Sequence, residues 1–358
     1  MRIAVAGDIS RVGGGQMYMK ELLNALADLN DATIISNPET DPLGILDRSK
    51  YIFPVHYNYS ENISYTTIFK NVMQLKRHLA NIDKRNFDLI INNHPNIFIL
   101  KGDINILHGF SFLDFILDEN GKITNLPLYQ IVRLSGIYKM FQKANFIANS
   151  KYTFDISTNL FKRIGLDVNL MGVLHPTFSS SFQRTESKRG ILLLQRINRK
   201  KNIIGILDIA KEIEDKVIIA GAVNPGDEKY LKEINDKKPD NVTVIPNPTE
   251  SEKNDLFLKS CIYIHTNKKE HFGISVVEAM SHGLIPIVPK SGGPWIDIIE
   301  QGRYGYGYSN FEEIPNIINL VKKQCVIDKD YMIASTKRFS KEQFSNKLYK
   351  YIKLLNLS

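Results

Sequence analysis

Glu270-His271-Phe272-Gly273-Ile274-Ser275-Val276-Val277-Glu278, continuing through Ala279-Met280-Ser281-His282-Gly283 to Pro286, decides how this chain is read. Two carboxylates stand eight positions apart across a Phe-Gly turn, which leads from an apolar strand, Ile262 to Ile264, into a helix. A strand end opening onto a helix N-terminus favours negative charge, because unpaired backbone N–H groups and the helix dipole meet there. In a doubly wound α/β domain this is where ligands bind. An anion held at the turn would lie between two acids, one beside the reacting group and the other accepting hydrogen bonds from hydroxyls further along the ligand. Gly273 has no Cβ and lets main chain approach such a ligand closely. The same residues also fit a capping box, in which Ser275 caps the helix and Glu278 returns a bond to its N–H. That reading leaves Glu270 without a role.

About seventy residues earlier, Gly190 to Gln195 reads as a buried strand, with Arg196 and Lys201 following five residues apart as a helical pattern begins at Ile203, Ile204 and Leu207. Two cations beside a helix N-terminus neutralise a diphosphate, Arg by a planar fork and Lys as a point charge. The competing reading is a solvated basic run, since Arg199 and Lys200 lie in the same stretch. At the amino end, Arg2 to Ala6 is a short apolar strand, and Gly13-Gly14-Gly15 leads into an amphipathic helix carrying Met19, Leu22, Leu23 and Leu26. Glycines there either bring main chain against a phosphate or sugar or simply form a tight turn. Neither a Gly-x-Gly-x-x-Gly fingerprint nor a P-loop can be read.

The chain has 358 residues, enough for two domains with separate cores. Its two cysteines suit a reducing compartment and have no metal-ligand spacing. No signal peptide and no apolar run of spanning length is read, so a cytoplasmic protein, soluble or peripheral on the inner membrane face, is expected. The net charge of +8 divides as +2 over residues 1–175 and +6 over residues 176–358, the half expected to hold a diphosphate. Basic residues concentrate at Arg133, Lys139, Lys143, Lys151, Lys162 and Arg163 and along the last helix. With Leu134, Ile137, Tyr138 and Phe141 between them, the former make either an ordinary solvated face or one that rests on an anionic bilayer. No nucleic-acid-binding module is recognisable, and nucleic acid is not an expected partner.

Strands and helices alternate without repeats. Apolar segments at Arg2–Ala6, Ala32–Ser36, Leu89–Asn92, Ile104–Leu107 and Phe146–Ala148 predict strands, with helices at Gln16–Leu29, Thr66–Ala80 and Leu128–Lys143. Further strands are predicted at Gly190–Gln195, Lys216–Ala220, Val242–Ile245, Cys261–His265 and Leu284–Val288. Uniformly apolar strands separated by helices imply α/β domains with parallel sheets covered on both faces. Polar Ser179–Arg189 reads as the linker, and Phe344, Leu348, Tyr351 and Leu355 form a helical stripe at the end.

The acid pair, the Arg-x4-Lys and the glycine loop together resemble the retaining family 4 (group 1) glycosyltransferases. The resemblance covers nearly the whole chain and is most specific over residues 190–299. It implies GT-B architecture: two facing Rossmann-like domains, residues 1–176 on the acceptor side and 177–337 on the donor side, with a helix in 338–358 crossing back to the first. It also implies roles. Glu270 would lie beside the transferred sugar and Glu278 would hold the ribose hydroxyls. Arg196 and Lys201 would bind the diphosphate, and the backbone of Phe272, Gly273 and Ile274 would face sugar and phosphates. Gly13, Gly14 and Gly15 would overhang the donor phosphates from the opposite domain. His108, at the end of an apolar strand, falls where the family often places a histidine near the sugar; alone, such a histidine is more often a loop or core residue.

The donor implied is a GDP- or UDP-hexose, with no metal or other cofactor, and the acceptor is a glycan or polyprenyl-linked glycan. The lone Asp-x-Asp, Asp328-Lys329-Asp330, reads as incidental. Ser291 to Asp297 departs from the Pro-Glu of many bacterial relatives. With Glu270-His271-Phe272-Gly273, it is closer to the mannosyltransferases that extend polyprenol-linked glycans. Neither guanine nor uracil is selected by Ile245-Pro246-Asn247-Pro248. A non-catalytic nucleotide-sugar-binding subunit and a GT-B epimerase remain as alternatives.

Overall fold

The computed structural model describes residues 1–9, 13–27, 32–36, 44, 51–52, 82–95, 100–109, 122–123, 125–127, 129–130, 139–178 and 189–355. The chain divides into two compact units, one formed by Met1–Thr177 with Lys341–Ser358 and the other by Phe178–Ser340.

The first unit holds a seven-stranded, all-parallel sheet built from β1 (Ile3–Ala6), β2 (Ala32–Ile35), β3 (Tyr51–Ile52), β4 (Leu89–Asn92), β5 (Ile104–Leu107), β6 (Asn145–Ala148) and β7 (Asn169–Val173). Their order is β3-β2-β1-β4-β5-β6-β7, so the direction of winding reverses between β1 and β4. The central strands are buried at every residue, which a short Ile/Leu/Val/Ala run achieves only with layers on both faces. Helix α1 (Gly14–Leu26) follows β1 and buries Met19, Leu22 and Leu26, while α2 (Lys151–Arg163) follows β6 and is capped by Ser150, whose hydroxyl accepts the Thr153 N–H at 2.9 Å.

The second unit repeats the plan with six parallel strands: β8 (Ile191–Leu194), β9 (Val217–Gly221), β10 (Val242–Pro246), β11 (Ile262–Ile264), β12 (Ile285–Pro289) and β13 (Tyr306–Tyr308). The order β10-β9-β8-β11-β12-β13 puts its reversal between β8 and β11. The intervening helices are α3 (Ile204–Ala210), α4 (Glu228–Lys237), α5 (Glu250–Leu258), α6 (Ile274–Ser281), α7 (Ile314–Lys323) and α8 (Lys329–Ser335). The core beneath them runs from Ile191 to Phe339, each fully buried Ile, Leu or Phe contributing about 1.5–3 kcal/mol.

The last helix, α9 (Lys341–Leu355), returns to the first unit and buries Phe344, Leu348 and Ile352 among Ile3, Val5, Ile34 and Ile91. Tyr351 donates to the Val173 carbonyl at 3.2 Å, and Tyr349 to that of Ala25.

Three strands and one helix escape the sequence pattern: β3, β7, β13 and α2. Of the helix predicted at Leu128–Lys143, Tyr129 and Gln130 are helical at its start and Lys139–Phe141 form a 3-10 turn at its end, where Lys143 takes a left-handed φ of 54°. Residues 128 and 131–138, Thr66–Ala80 and 179–188 of the expected linker lie outside the described residues. Among the described residues no helix is long and apolar enough to cross a membrane.

Candidate functional site

Reversal points of parallel sheets leave a crevice at the carboxyl ends of the two central strands. In the second unit these are β8 and β11, which carry the basic and acidic motifs respectively. Gln195 follows β8 and Arg196, half-buried, comes next. Asn198 then opens a 3-10 turn, Arg199–Lys201, its side-chain oxygen accepting the Lys201 N–H at 3.2 Å; Asn202 closes the turn in the left-handed region at φ 49°. From the end of β11, the Thr266 hydroxyl donates to the Lys201 carbonyl and accepts from the Gln195 amide at 2.5 Å. The backbone of the cationic loop is thereby tied to both strand ends.

So held, the Lys201 ammonium pairs with the Glu270 carboxylate, each side chain one-fifth exposed. The His265 Nε2 lies 3.5 Å from the same carboxylate oxygen, and Asn267 donates to it at 3.3 Å. Burial works against the charge on Glu270, but Lys201, the largest opposing influence, holds the carboxyl well below the usual carboxylate range. Burial also lowers the His265 pKa, against the pull of Glu270, so the imidazole is neutral at pH 7.

The Glu270 turn is shaped by glycine. Gly273 sits at φ 101°, where an L side chain is strained and a Cβ would meet Pro294 at 3.0 Å. The Gly293 N–H donates to the Glu270 carbonyl at 2.8 Å, and any side chain on Gly293 would run into the His271 carbonyl. Phe272 is buried edge-on against Phe339 at 5.3 Å, so only its main chain is available to a ligand. Beyond it, the N–H groups of Ile274 and Ser275 find no acceptor among the described residues.

The capping-box reading of Ser275 and Glu278 is not realised: Gly273 is the N-cap, and the Ser275 hydroxyl is hydrogen-bonded to that of Tyr263 at 2.7 Å. The Glu278 carboxylate accepts no hydrogen bond from the described residues, and burial raises its pKa against the opposing pull of Lys253. Asp328, by contrast, has a structural task, capping α8 by accepting the Tyr331 N–H at 3.0 Å.

In the first unit the reversal lies between β1 and β4, and the glycine loop follows β1. None of Gly13, Gly14 and Gly15 has a positive φ. Gly14 is exposed with nothing within 4 Å of a Cβ built there, whereas Gly15 makes room for the His94 ring. Asn93 donates to the Gly15 carbonyl at 3.0 Å, and its side-chain oxygen is 2.9 Å from His108 Nε2. His108 is half-buried, edge-on to Tyr18 at 4.7 Å and 5.4 Å from the His94 ring. His94 Nδ1 accepts the Asp8 N–H at 3.1 Å.

Asn93, His94, His265 and Thr266 were not singled out from the sequence. Each is one of the first two residues after a buried strand, and polar residues at that position are the one local signal that marks a strand end facing a crevice. Among the described residues, no group of three or more His, Cys, Asp or Glu is placed to hold a metal ion.

The model of the "Glycosyl transferases group 1" family matches residues 176–324. The GDP-Man:Man(3)GlcNAc(2)-PP-Dol alpha-1,2-mannosyltransferase of Dictyostelium discoideum is 38% identical over 29% of this chain and 22% of its own length. The enzyme of the same name from Xenopus laevis is 30% identical over 36% of this chain and 28% of its own. The chain thus spans about a quarter of the curated relatives it matches. Over the full length, the crystal structure of Anabaena HepE in complex with UDP and glucose superposes with a TM-score of 0.73 at 16% identity, covering 99% of both chains. Sucrose-phosphate synthase from Thermosynechococcus elongatus gives 0.72 at 14% identity, covering 100% of both. Residues 176–324 thus match the group 1 glycosyltransferase family, and the chain as a whole has the fold of these solved structures.

Proposed function

We propose that the protein transfers a hexose, mannose in the favoured reading, from a nucleotide diphosphate sugar to a hydroxyl of a lipid-linked glycan, with retention at the anomeric carbon. The observation that carries this is the convergence, at the β8/β11 reversal, of the Lys201–Glu270 pair with two N–H groups at the start of α6 and a Glu278 carboxylate that have no hydrogen-bond partner among the described residues. A diphosphate supplies what this arrangement lacks: an anion for the N–H groups and the ammonium, and hydroxyls for Glu278.

Breaking the anomeric bond leaves charge on the diphosphate, and donors aimed at that charge lower the barrier. Arg196, Lys201 and the N–H groups of Ile274 and Ser275 take this role. Glu270, held ionised, faces the developing positive charge on the sugar. The leaving phosphate takes the acceptor proton, so no protein-bound intermediate and no metal enters. Mannose and a lipid-linked acceptor follow the two mannosyltransferases above and are the finer part of the proposal.

A thermal-shift screen with UDP, GDP, UDP-glucose and GDP-mannose tests the donor, because a ligand that binds only the folded state raises apparent stability. GDP-mannose should give the largest shift. Arg196→Ala should lower turnover roughly a hundredfold or more. Stabilisation by none of the four ligands would favour a different reaction on the same fold.

A further inference from the structure

His265 is 1% exposed, yet among the described residues neither of its ring nitrogens has a hydrogen-bond partner. Buried polar groups left in that state are costly and call for a reason. Its geometry offers one. Nε2 stands 3.5 Å from the Glu270 carboxylate oxygen that Lys201 already engages, too far for a good hydrogen bond and near enough to form one with a small rotation.

The surroundings point the same way. Glu270 and Lys201 are the charged groups that act on the imidazole. On the flanking strands, the Ile287 carbonyl of β12 accepts the His265 N–H at 3.0 Å, and the Tyr308 hydroxyl of β13 donates to the His265 carbonyl at 2.9 Å. After β8 comes Gln195, neutral, whose amide oxygen also has no partner among the described residues. Lys201 therefore has two successive tasks that conflict. It neutralises Glu270 in the empty site, and under the proposed function it must turn to the diphosphate.

We propose that His265 is a positioning residue for Glu270: as Lys201 turns to the diphosphate, the imidazole takes a proton from solvent and donates a hydrogen bond to the carboxylate left behind. The step balances as one solvent proton added to the ring, with no bond broken in substrate or protein. It rests on the proposed donor site. Its consequence is that donor binding is coupled to proton uptake. Lys201 repels an imidazolium and Glu270 attracts one, so withdrawal of Lys201 raises the proton affinity of the ring.

The test is calorimetric titration of the intact protein with UDP-glucose and GDP-mannose, whose diphosphate diesters have no proton to exchange near pH 6.5. Repeating it in buffers of different ionisation heat yields the protons taken up per site. We expect roughly half a proton or more at pH 6.5, falling toward zero above pH 8. His265→Gln keeps an N–H donor but cannot titrate: it should abolish the uptake, lower kcat and leave donor KM within about threefold. His265→Asn serves if the longer amide disturbs packing. Binding by the wild type with no uptake, or uptake unchanged in the variant, overturns the role of His265 and leaves the donor site standing. Failure of both nucleotide sugars to bind removes the donor site and this inference with it.

Discussion

Replacing Lys201 by Ala does two separable things, and a double-mutant cycle with Glu270→Gln distinguishes them. The ion pair is one-fifth exposed on each side. Exposed pairs are worth about 0.2–1 kcal/mol, and breaking a buried pair costs about 3–5, so an intermediate coupling of about 2 kcal/mol is expected here. Lys201→Ala should cost the fold about 2–3 kcal/mol, because Glu270 stays behind as a charge with little water. Glu270→Gln should cost only about 1 kcal/mol, since the freed ammonium can swing out on its flexible stem. The double variant should be close to Glu270→Gln and more stable than Lys201→Ala.

The pH dependence has a definite sign. In the wild type the folded Glu270 pKa lies below its unfolded value, so its stabilisation is present above the unfolded pKa and is lost as pH falls through the folded one. Without Lys201, burial acts with less opposition and the folded pKa rises. The gap between Lys201→Ala and wild type should therefore narrow as pH falls below about 4.5. Denaturant unfolding of the four proteins measures all of this. Additivity within about 0.5 kcal/mol would show that the pair is not formed in solution, and the account of the site would fail. Turnover should drop roughly a hundredfold in Lys201→Ala and stay low in the double variant, since restoring stability does not restore the cation.

Glu278→Gln should leave the fold as stable or slightly more so, because burial already disfavours the carboxylate, and should weaken UDP or GDP binding in a thermal-shift titration. In the wild type, nucleotide affinity should fall as pH drops through this raised pKa; unchanged affinity in the variant would remove Glu278 from the ribose. Gly273→Ala places a side chain at φ 101° and should cost about 1–2 kcal/mol with a large loss of turnover, read by calorimetry and assay. Salt-sensitive co-sedimentation with phosphatidylserine-rich vesicles is expected, weakened when Arg133, Lys139 and Lys143 are all changed to Glu, at about 1 kcal/mol per basic residue. Protein that remains in solution with such vesicles would count against a lipid-linked acceptor.

The central strands were legible because their physics is local: three or four buried residues in a row, nearly all apolar, leave few alternatives. β7 was not, since Asn169–Val173 is an edge strand, partly exposed throughout and interrupted by Gly172. β13, Tyr306-Gly307-Tyr308, has only three residues and is defined by its neighbour β12. α2 could have been found from Ser150, since a small hydroxyl residue after a strand and before an amphipathic run is a helix start. Within the site, Glu270 and Lys201 could be named from spacing, but their pairing across 69 positions needs the sheet order. Ser275 and Glu278 mislead in isolation, because only the packing shows that Tyr263 occupies the Ser275 hydroxyl.

The return of α9 to the first unit has a consequence for biosynthesis. The chain contributes to that unit's core twice, at residues 1–177 and again at Phe344, Leu348 and Ile352, with the whole second unit in between. During synthesis, which proceeds from the amino end at about 5–20 residues per second, residues 178–340 have everything their own core requires before the ribosome reaches α9. The unit begun first is thus the one completed last. A premature stop codon anywhere in α9 would leave the second unit intact and an apolar slot open in the first. Truncated chains should therefore be lost to aggregation or chaperones through the half that lies furthest from the lesion in sequence.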